Sequence, residues 1–409
     1  MQRYLFMNLR TPESYWLLKS GLLNVYPSLQ EDLKVDFAIM GGGITGALVA
    51  YYLAQAGLKV AVFDRRHIGM GSTCASTGLL QYEIDKPLFE LAGMIGEKQA
   101  ARSYHLCLES IAKLGELCGK LKIEAEFEYK KSFYYASRKK DVPDQIEKEY
   151  KIRRKHGIEV ELLEKPKIAR MFPFRASAAL LSGAGGQVNA YHLAHGLLQA
   201  SIRNGAQVFD QTEIIDIEHR SRRVLLRTEH GSIIQARKLV LANGYESYNY
   251  VPFNVIRLHS TYVIVSEPLP LKEIWYENCL IWETATPYLY MRTTKDQRVL
   301  VGGKDETFYS PNKRDKLLTR KTRELVEAFK RKFPEIPVRV DISWAGTFAE
   351  TEDGLPYIGS IKQFPNTYFA LGFGGNGITF SQIAGEIIRD FATGKKNKDA
   401  GIFTFERSK

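Results

Sequence analysis

The sequence predicts an α/β fold, a parallel sheet layered with helices and joined to a second, β-rich unit. Three observations predict it. Val35 to Asp64 reads as strand, tight turn, helix and strand, a βαβ unit. At 409 residues the chain is too long for one ordinary core and suits two domains. From Val255 to Val301 short apolar runs of strand type dominate.

Residues 1–34 form a polar lead-in whose Ser14-Tyr15-Trp16 triplet is expected to dock on the body. The apolar run Phe37 to Met40 then enters Gly41-Gly42-Gly43-Ile44-Thr45-Gly46, and an amphipathic stretch, Ala47 to Ala56, precedes Gly57 and a second apolar run, Val60 to Phe63. Gly41, Gly43 and Gly46 fill the G-x-G-x-x-G template. The first permits the turn, the second lets backbone approach a pyrophosphate, and the third lets helix pack on strand. The helix N-terminus offers free N–H groups to phosphate, and Asp64 falls where a carboxylate accepts from a ribose. No charged residue occurs from Phe37 to Leu58, enough to span a bilayer as a helix. Three adjacent glycines break such a helix, and the flanking acid fits a dinucleotide, NAD or FAD.

After Asp64-Arg65, the small-residue loop His67 to Gly78 contains Gly71, Ser72, Thr73, Thr77 and Gly78; it suits close approach to a flat ligand. From Glu97 to Leu121 apolar residues recur at helical spacing, which places Cys107 and Cys118 in the core. Phe133 to Ala136 reads as a strand and Val142 to His156 as a charged helix. A second mixed unit begins at Gly185, with a helix from Tyr191 to Gly205. His192 and His195 there lack a third ligand nearby and read as ordinary helix residues rather than zinc ligands; no metal is expected. Strands follow at Gln207 to Phe209, Ile214 to Glu218, Arg223 to Thr228 and Ile233 to Gln235, and Lys238 to Gly244 reads as a buried strand ending in a turn. A charged helix spans Arg314 to Phe333, and the chain closes with a strand, a second glycine turn and a last helix through Phe391.

A net charge of +11 admits an acidic partner, such as nucleic acid or a membrane surface. The charge is scattered over runs such as Arg138-Lys139-Lys140 and Arg220 to Arg223 that lack interleaved aromatics, which favours a solvated surface over a nucleic-acid partner. Four cysteines without metal spacing, and an opening M-Q-R-Y-L-F-M-N-L-R unlike a signal peptide, point to reduced thiols and a cytoplasmic address.

The second glycine turn, Gly372 to Gly377, lies between a strand and a helix, so its amides converge above that helix. In a flavoenzyme such amides stabilise the negative charge of the reduced ring. With both glycine turns in view, the chain from about Ser14 onward resembles the D-amino-acid oxidase family of FAD oxidoreductases, and its Tyr262 to Pro268 pattern with Tyr15-Trp16 looks closer to the γ-glutamylputrescine oxidase branch. The resemblance rests on Gly41 to Gly46 with Asp64-Arg65, Gly71-Ser72-Thr73, Leu241-Ala242-Asn243-Gly244, Asp353-Gly354-Leu355-Pro356-Tyr357-Ile358-Gly359, and Gly374-Gly375-Asn376-Gly377-Ile378. It implies a Rossmann-type FAD-binding domain in three pieces (35–85, 157–245 and 336–409). An α+β substrate domain on a mostly antiparallel sheet (86–156 and 246–335) is interleaved with it. Ile214 matches the position facing adenine.

Departures from the family pattern are informative. Gly71 to Ala75 lacks the histidine that carries covalent flavin in some relatives, and Trp344 to Glu352 lacks the cysteine that does so in others, so non-covalent FAD is expected. The family's carboxylate-binding arginine is replaced by Phe348, which cannot form a bidentate carboxylate pair. Arg292 is either its substitute or a structural ion pair. The lysine that activates oxygen in sarcosine oxidases aligns with Leu300, which leaves oxidase and dehydrogenase both open. Tyr262, Tyr290 and Phe348 are candidate substrate walls. The expected activity is oxidation of a C–N bond in an amine or amino acid. Alternatives are electron transfer to a quinone or protein acceptor, tRNA modification, or a non-catalytic FAD-binding role.

Overall fold

The computed structural model describes residues 7–137, 142–251, 256–270, 272–371 and 373–408. Most of the opening decapeptide, Arg138 to Lys140 and Gly372 lie outside the described residues.

The chain builds two sheets. In the first, Tyr357–Gly359, Thr367–Leu371, Ile233–Leu241, Leu33–Met40, Val60–Phe63 and Gln207–Phe209 lie side by side in that order. Ile214–His219 and Val224–Thr228 extend from Ile233–Leu241 as an antiparallel flap. Four neighbouring pairs across its middle are parallel. The carboxyl ends of Leu33–Met40, Val60–Phe63, Ile233–Leu241 and Thr367–Leu371 therefore share one edge, where open α/β sheets place ligands. The helix Ile44–Gln55 is buried over ten of its twelve residues. It packs against Gly377–Ala392 and Ala190–Arg203, which explains a charge-free sequence that needs no membrane. No described helix is long and apolar enough to cross one.

The second sheet has nine strands, ordered Val340–Glu350, Arg257–Ser266, Val299–Glu306, Tyr290–Thr293, Leu280–Glu283, Glu128–Tyr135, Ala178–Gln187 and Leu79–Leu80, with Glu161–Glu164 beside Ala178–Gln187. It is antiparallel except where Leu280–Glu283 meets Glu128–Tyr135. The helix Pro311–Lys332 covers one face. Leu79–Leu80, the 161–187 strands and Val340–Glu350 belong to this sheet. Val340–Glu350 pairs with Arg257–Ser266 along ten residues, and that ladder decides its sheet. Ile233 to Leu241 is one continuous strand, since its first half pairs with Val224–Thr228 while Ile234 to Leu241 run beside Leu33–Met40.

The lead-in docks as expected. Tyr15 and Trp16 are fully buried, with the Tyr15 hydroxyl donating to Asp296 at 2.7 Å. Cys107 and Cys118 lie in the core.

Candidate active site

The shared carboxyl edge of the first sheet opens into a cavity whose opposite wall is the second sheet. At Gly41 the backbone turns with φ +107°, and a Cβ there would lie 2.5 Å from the Ala242 carbonyl oxygen. A Cβ on Gly46 would strike the Gly41 carbonyl oxygen, so helix and strand close up only around glycine. Gly43 caps the helix without a side-chain hydrogen bond, and the Ile44 N–H donates to Thr73 Oγ1 at 3.0 Å. The uncapped helix start thus faces the cavity with its positive end.

Asp64 accepts from the backbone N–H groups of Gly42 and Arg66, each at 2.8 Å. Burial pushes its pKa up, against the pull of those amides. Beyond it, Arg65 pairs with Glu246 and Glu213, and Arg66 pairs with Glu246 at 2.8 Å. Ile214 lines this same cavity, with Ala242, Asn243 and Gly244 on the neighbouring turn.

The small-residue loop is held from behind at three consecutive carbonyls. Trp344 Nε1 donates to Ala75 at 2.9 Å, Trp16 Nε1 to Ser76 at 2.7 Å, and Arg292 Nε to Thr77 at 2.7 Å. These donors come from the second sheet and the lead-in helix, so the loop is fixed to parts of the chain distant in sequence. Gly71, Ser72, Thr73 and Thr77 line the cavity. Cys74 does not; it is fully buried, its thiol donates to the Gly71 carbonyl, and burial raises its pKa.

The second sheet contributes Thr261, Val263, Tyr290, Asp305, Trp344 and Phe348 to the facing wall, joined by Tyr288, Gly374, Gly375, Gly377 and Ile378. Gly302 pairs with Tyr290, and a Cβ on Gly302 would fall within the Tyr290 ring, so this glycine makes room for the phenol. Asp85 grips the second glycine turn: its carboxylate accepts from the Gly375 N–H at 2.9 Å and from the Tyr288 hydroxyl at 3.2 Å. Phe348 stacks on His259 with centroids 5.1 Å apart. Burial pushes the Asp305 pKa up to about 6.

Five of the residues singled out from sequence stand outside the lining. Gly46 and Gly78 serve packing, a Cβ on Gly78 colliding with the Val188 carbonyl. Asn376 donates to the carbonyls of Gln81 and Glu83 at 2.9 and 2.8 Å, which ties the last helix to the 81–83 segment. Tyr262 points to the other face of its strand, into the core beneath Pro311–Lys332, with Lys321 Nζ 5.4 Å from its ring centroid. Successive strand residues face opposite sides, so Thr261 and Val263 take the cavity and Tyr262 cannot. Arg292 lies behind the loop, its Nε and Nη1 donating to the Thr77 and Thr293 carbonyls, its Nη2 buried without a hydrogen-bond partner among the described residues, and its guanidinium set 5.4 Å over the Trp16 ring. Among the described residues it has no ion pair, and it is not part of the lining. Sequence reasoning missed Tyr288, Asp305, Asp85, Glu246 and the two tryptophan donors. Of these, only Asp305 offered a local signal, an acid near the end of a strand that begins apolar.

A family model described as FAD dependent oxidoreductase matches residues 36–391. The chain belongs to this family of FAD-dependent oxidoreductases. It is 25% identical to γ-glutamylputrescine oxidoreductase of Escherichia coli K12 over 388 residues, 93% of this chain and 89% of that protein. It is 27% identical to glycine oxidase of Geobacillus kaustophilus over 406 residues, 91% of this chain and 97% of that one. The crystal structure of the latter glycine oxidase superposes with a TM-score of 0.75 at 24% identity, covering 90% of this chain and 96% of that one. L-Proline dehydrogenase from P. horikoshii shares the fold at TM-score 0.75 and 19% identity, covering 92% of this chain and 99% of that chain. The cavity of this FAD-dependent oxidoreductase fits such a cofactor. An uncapped helix start suits a pyrophosphate, and a slot between small residues and the Met40, Phe63, Val263 and Trp344 side chains suits flat rings.

Proposed function

We propose that this chain oxidises a C–N bond of a small amine or amino acid, with FAD held non-covalently in the cavity described. One observation carries the reading: the two glycine turns, Gly41–Gly43 and Gly374–Gly375, line one cavity together with the Thr261, Tyr290 and Phe348 wall. Gly41, Gly43, Ile44 and Thr45 would hold the pyrophosphate, Asp64 and Arg65 the ribose end, Ile214 the adenine, and the 71–77 loop with Gly374 to Ile378 the ring end.

Bound there, FAD supplies a two-electron acceptor for the hydrogen on the carbon next to nitrogen, and the resulting imine is hydrolysed in water. The protein's own work is orientation and exclusion of water. Tyr290, Phe348 and Thr261 form a wall against which a substrate carbon is held, and burial keeps the Tyr288 and Tyr290 phenols neutral. The test is anaerobic bleaching of the bound flavin by a panel of amines and amino acids, followed by admission of air and assay of peroxide. Bleaching by none of them, with FAD fully bound, refutes the reading; bleaching without peroxide assigns the electrons to another acceptor.

A further inference from the structure

We infer that Asp305 makes this site selective for a substrate that carries a second, cationic amino group, rather than a carboxylate, at the end remote from the bond oxidised. The inference rests on the amine oxidation proposed above and adds the substrate class.

Asp305 lines the cavity, and its Oδ1 is buried with no hydrogen-bond partner among the described residues. A buried carboxylate oxygen without a partner is costly, and a cation or donor arriving with the ligand removes that cost. The nearby lysine is already held by other groups. Lys321 Nζ donates to the Lys304 carbonyl at 2.8 Å and pairs with Glu306 at 2.6 Å. His259 lies 3.3 Å from Glu350.

Around Asp305 the wall is aromatic and acidic. Tyr288 and Tyr290 have centroids 5.8 Å apart, and Asp85 stands behind Tyr288 as a second carboxylate. Ring faces with a carboxylate attract an ammonium by charge and by cation–π contact. The described lining contains two basic residues, Arg65 and Arg66, both bound to Glu246 next to Asp64. Neither belongs to the Asp305 wall, and Phe348 adds no cation to it. A carboxylate bound beside Asp305 would face like charge, with the nearby Lys321 already paired to Glu306.

The test uses FAD-loaded enzyme and three probes of one chain length: 1,4-diaminobutane, butylamine and 4-aminobutanoate. Half-saturation of anaerobic flavin bleaching is expected at least about tenfold lower for the diamine than for 4-aminobutanoate, with butylamine between them. Asp305→Asn should erase that order and Asp305→Glu should keep it. Independently, tetramethylammonium, which cannot be oxidised by this route, should perturb the flavin absorption of wild type and Asp305→Glu but not of Asp305→Asn, and acetate should perturb none. If no amine bleaches the flavin yet tetramethylammonium binding depends on residue 305, the cation site at Asp305 stands and the oxidation reading falls. A preference for 4-aminobutanoate, or a diamine preference unchanged in Asp305→Asn, overturns the inference.

Discussion

Arg292 Nε donates to the Thr77 carbonyl at 2.7 Å, so a buried guanidinium positions the backbone of the loop that lines the cavity. Burial also lowers its pKa to about 10, which still leaves it charged at neutral pH. Arg292→Met should therefore weaken FAD binding by roughly tenfold, the scale of one buried carbonyl left without its donor. Fluorescence titration of apoprotein with FAD reads this directly. Unchanged FAD affinity with a raised KM would instead make Arg292 a substrate ligand.

Gly43 leaves no room for a side chain facing Thr73, because a Cβ there would sit 2.8 Å from Thr73 Oγ1. Gly43→Val is expected to purify folded but colourless and to stay so after incubation with excess FAD. A yellow, fully loaded variant would contradict the placement of the pyrophosphate at this turn.

Gly302→Ala probes the substrate wall alone. The added methyl occupies the place of the Tyr290 ring, and overpacking of this kind costs about 1–3 kcal/mol. FAD content should match wild type while kcat/KM falls at least about tenfold. Wild-type kinetics in this variant would show that the Tyr290 position is immaterial.

The raised Asp305 pKa makes a prediction about stability. Its folded value, about 6, exceeds the ordinary 3.8, so the folded state holds this proton more tightly than the unfolded one. The associated stability is present below pH 3.8 and is lost as pH rises to about 6. At about 1.4 kcal/mol per pH unit the loss is at most about 3 kcal/mol. In the apoprotein, Asp305→Asn should raise the melting temperature at pH 8 relative to wild type, and the gain should shrink towards pH 4. An equal shift at both pH values would remove ionisation as its cause.

The cofactor half of the site was readable because its physics is local. A turn with positive φ, an approach too close for a Cβ and a helix start all need particular residues at fixed spacing, and Gly41, Gly43 and Gly374 supply them. The substrate half was readable only in part: Tyr290 and Phe348 stood out and line the cavity, but Asp305 reaches them only through strand pairing, and Tyr288 comes from the loop before Tyr290–Thr293. Tyr262 shows the difficulty well. Tyr262-Val263-Ile264 is buried on both faces of its sheet, so no polar alternation marks which side faces the cavity. Arg292 is the converse case: an arginine in a strand looks available for a ligand until its neighbours are known.

The indole of Trp16 holds the Ser76 carbonyl from a six-residue helix near the start of the chain, well upstream of the first glycine turn. The opening segment is thus a structural member of the coenzyme chamber, and shortening it would remove one of three pins from the loop they share. Colour and turnover of a trimmed protein should suffer even though every fingerprint glycine remains in place.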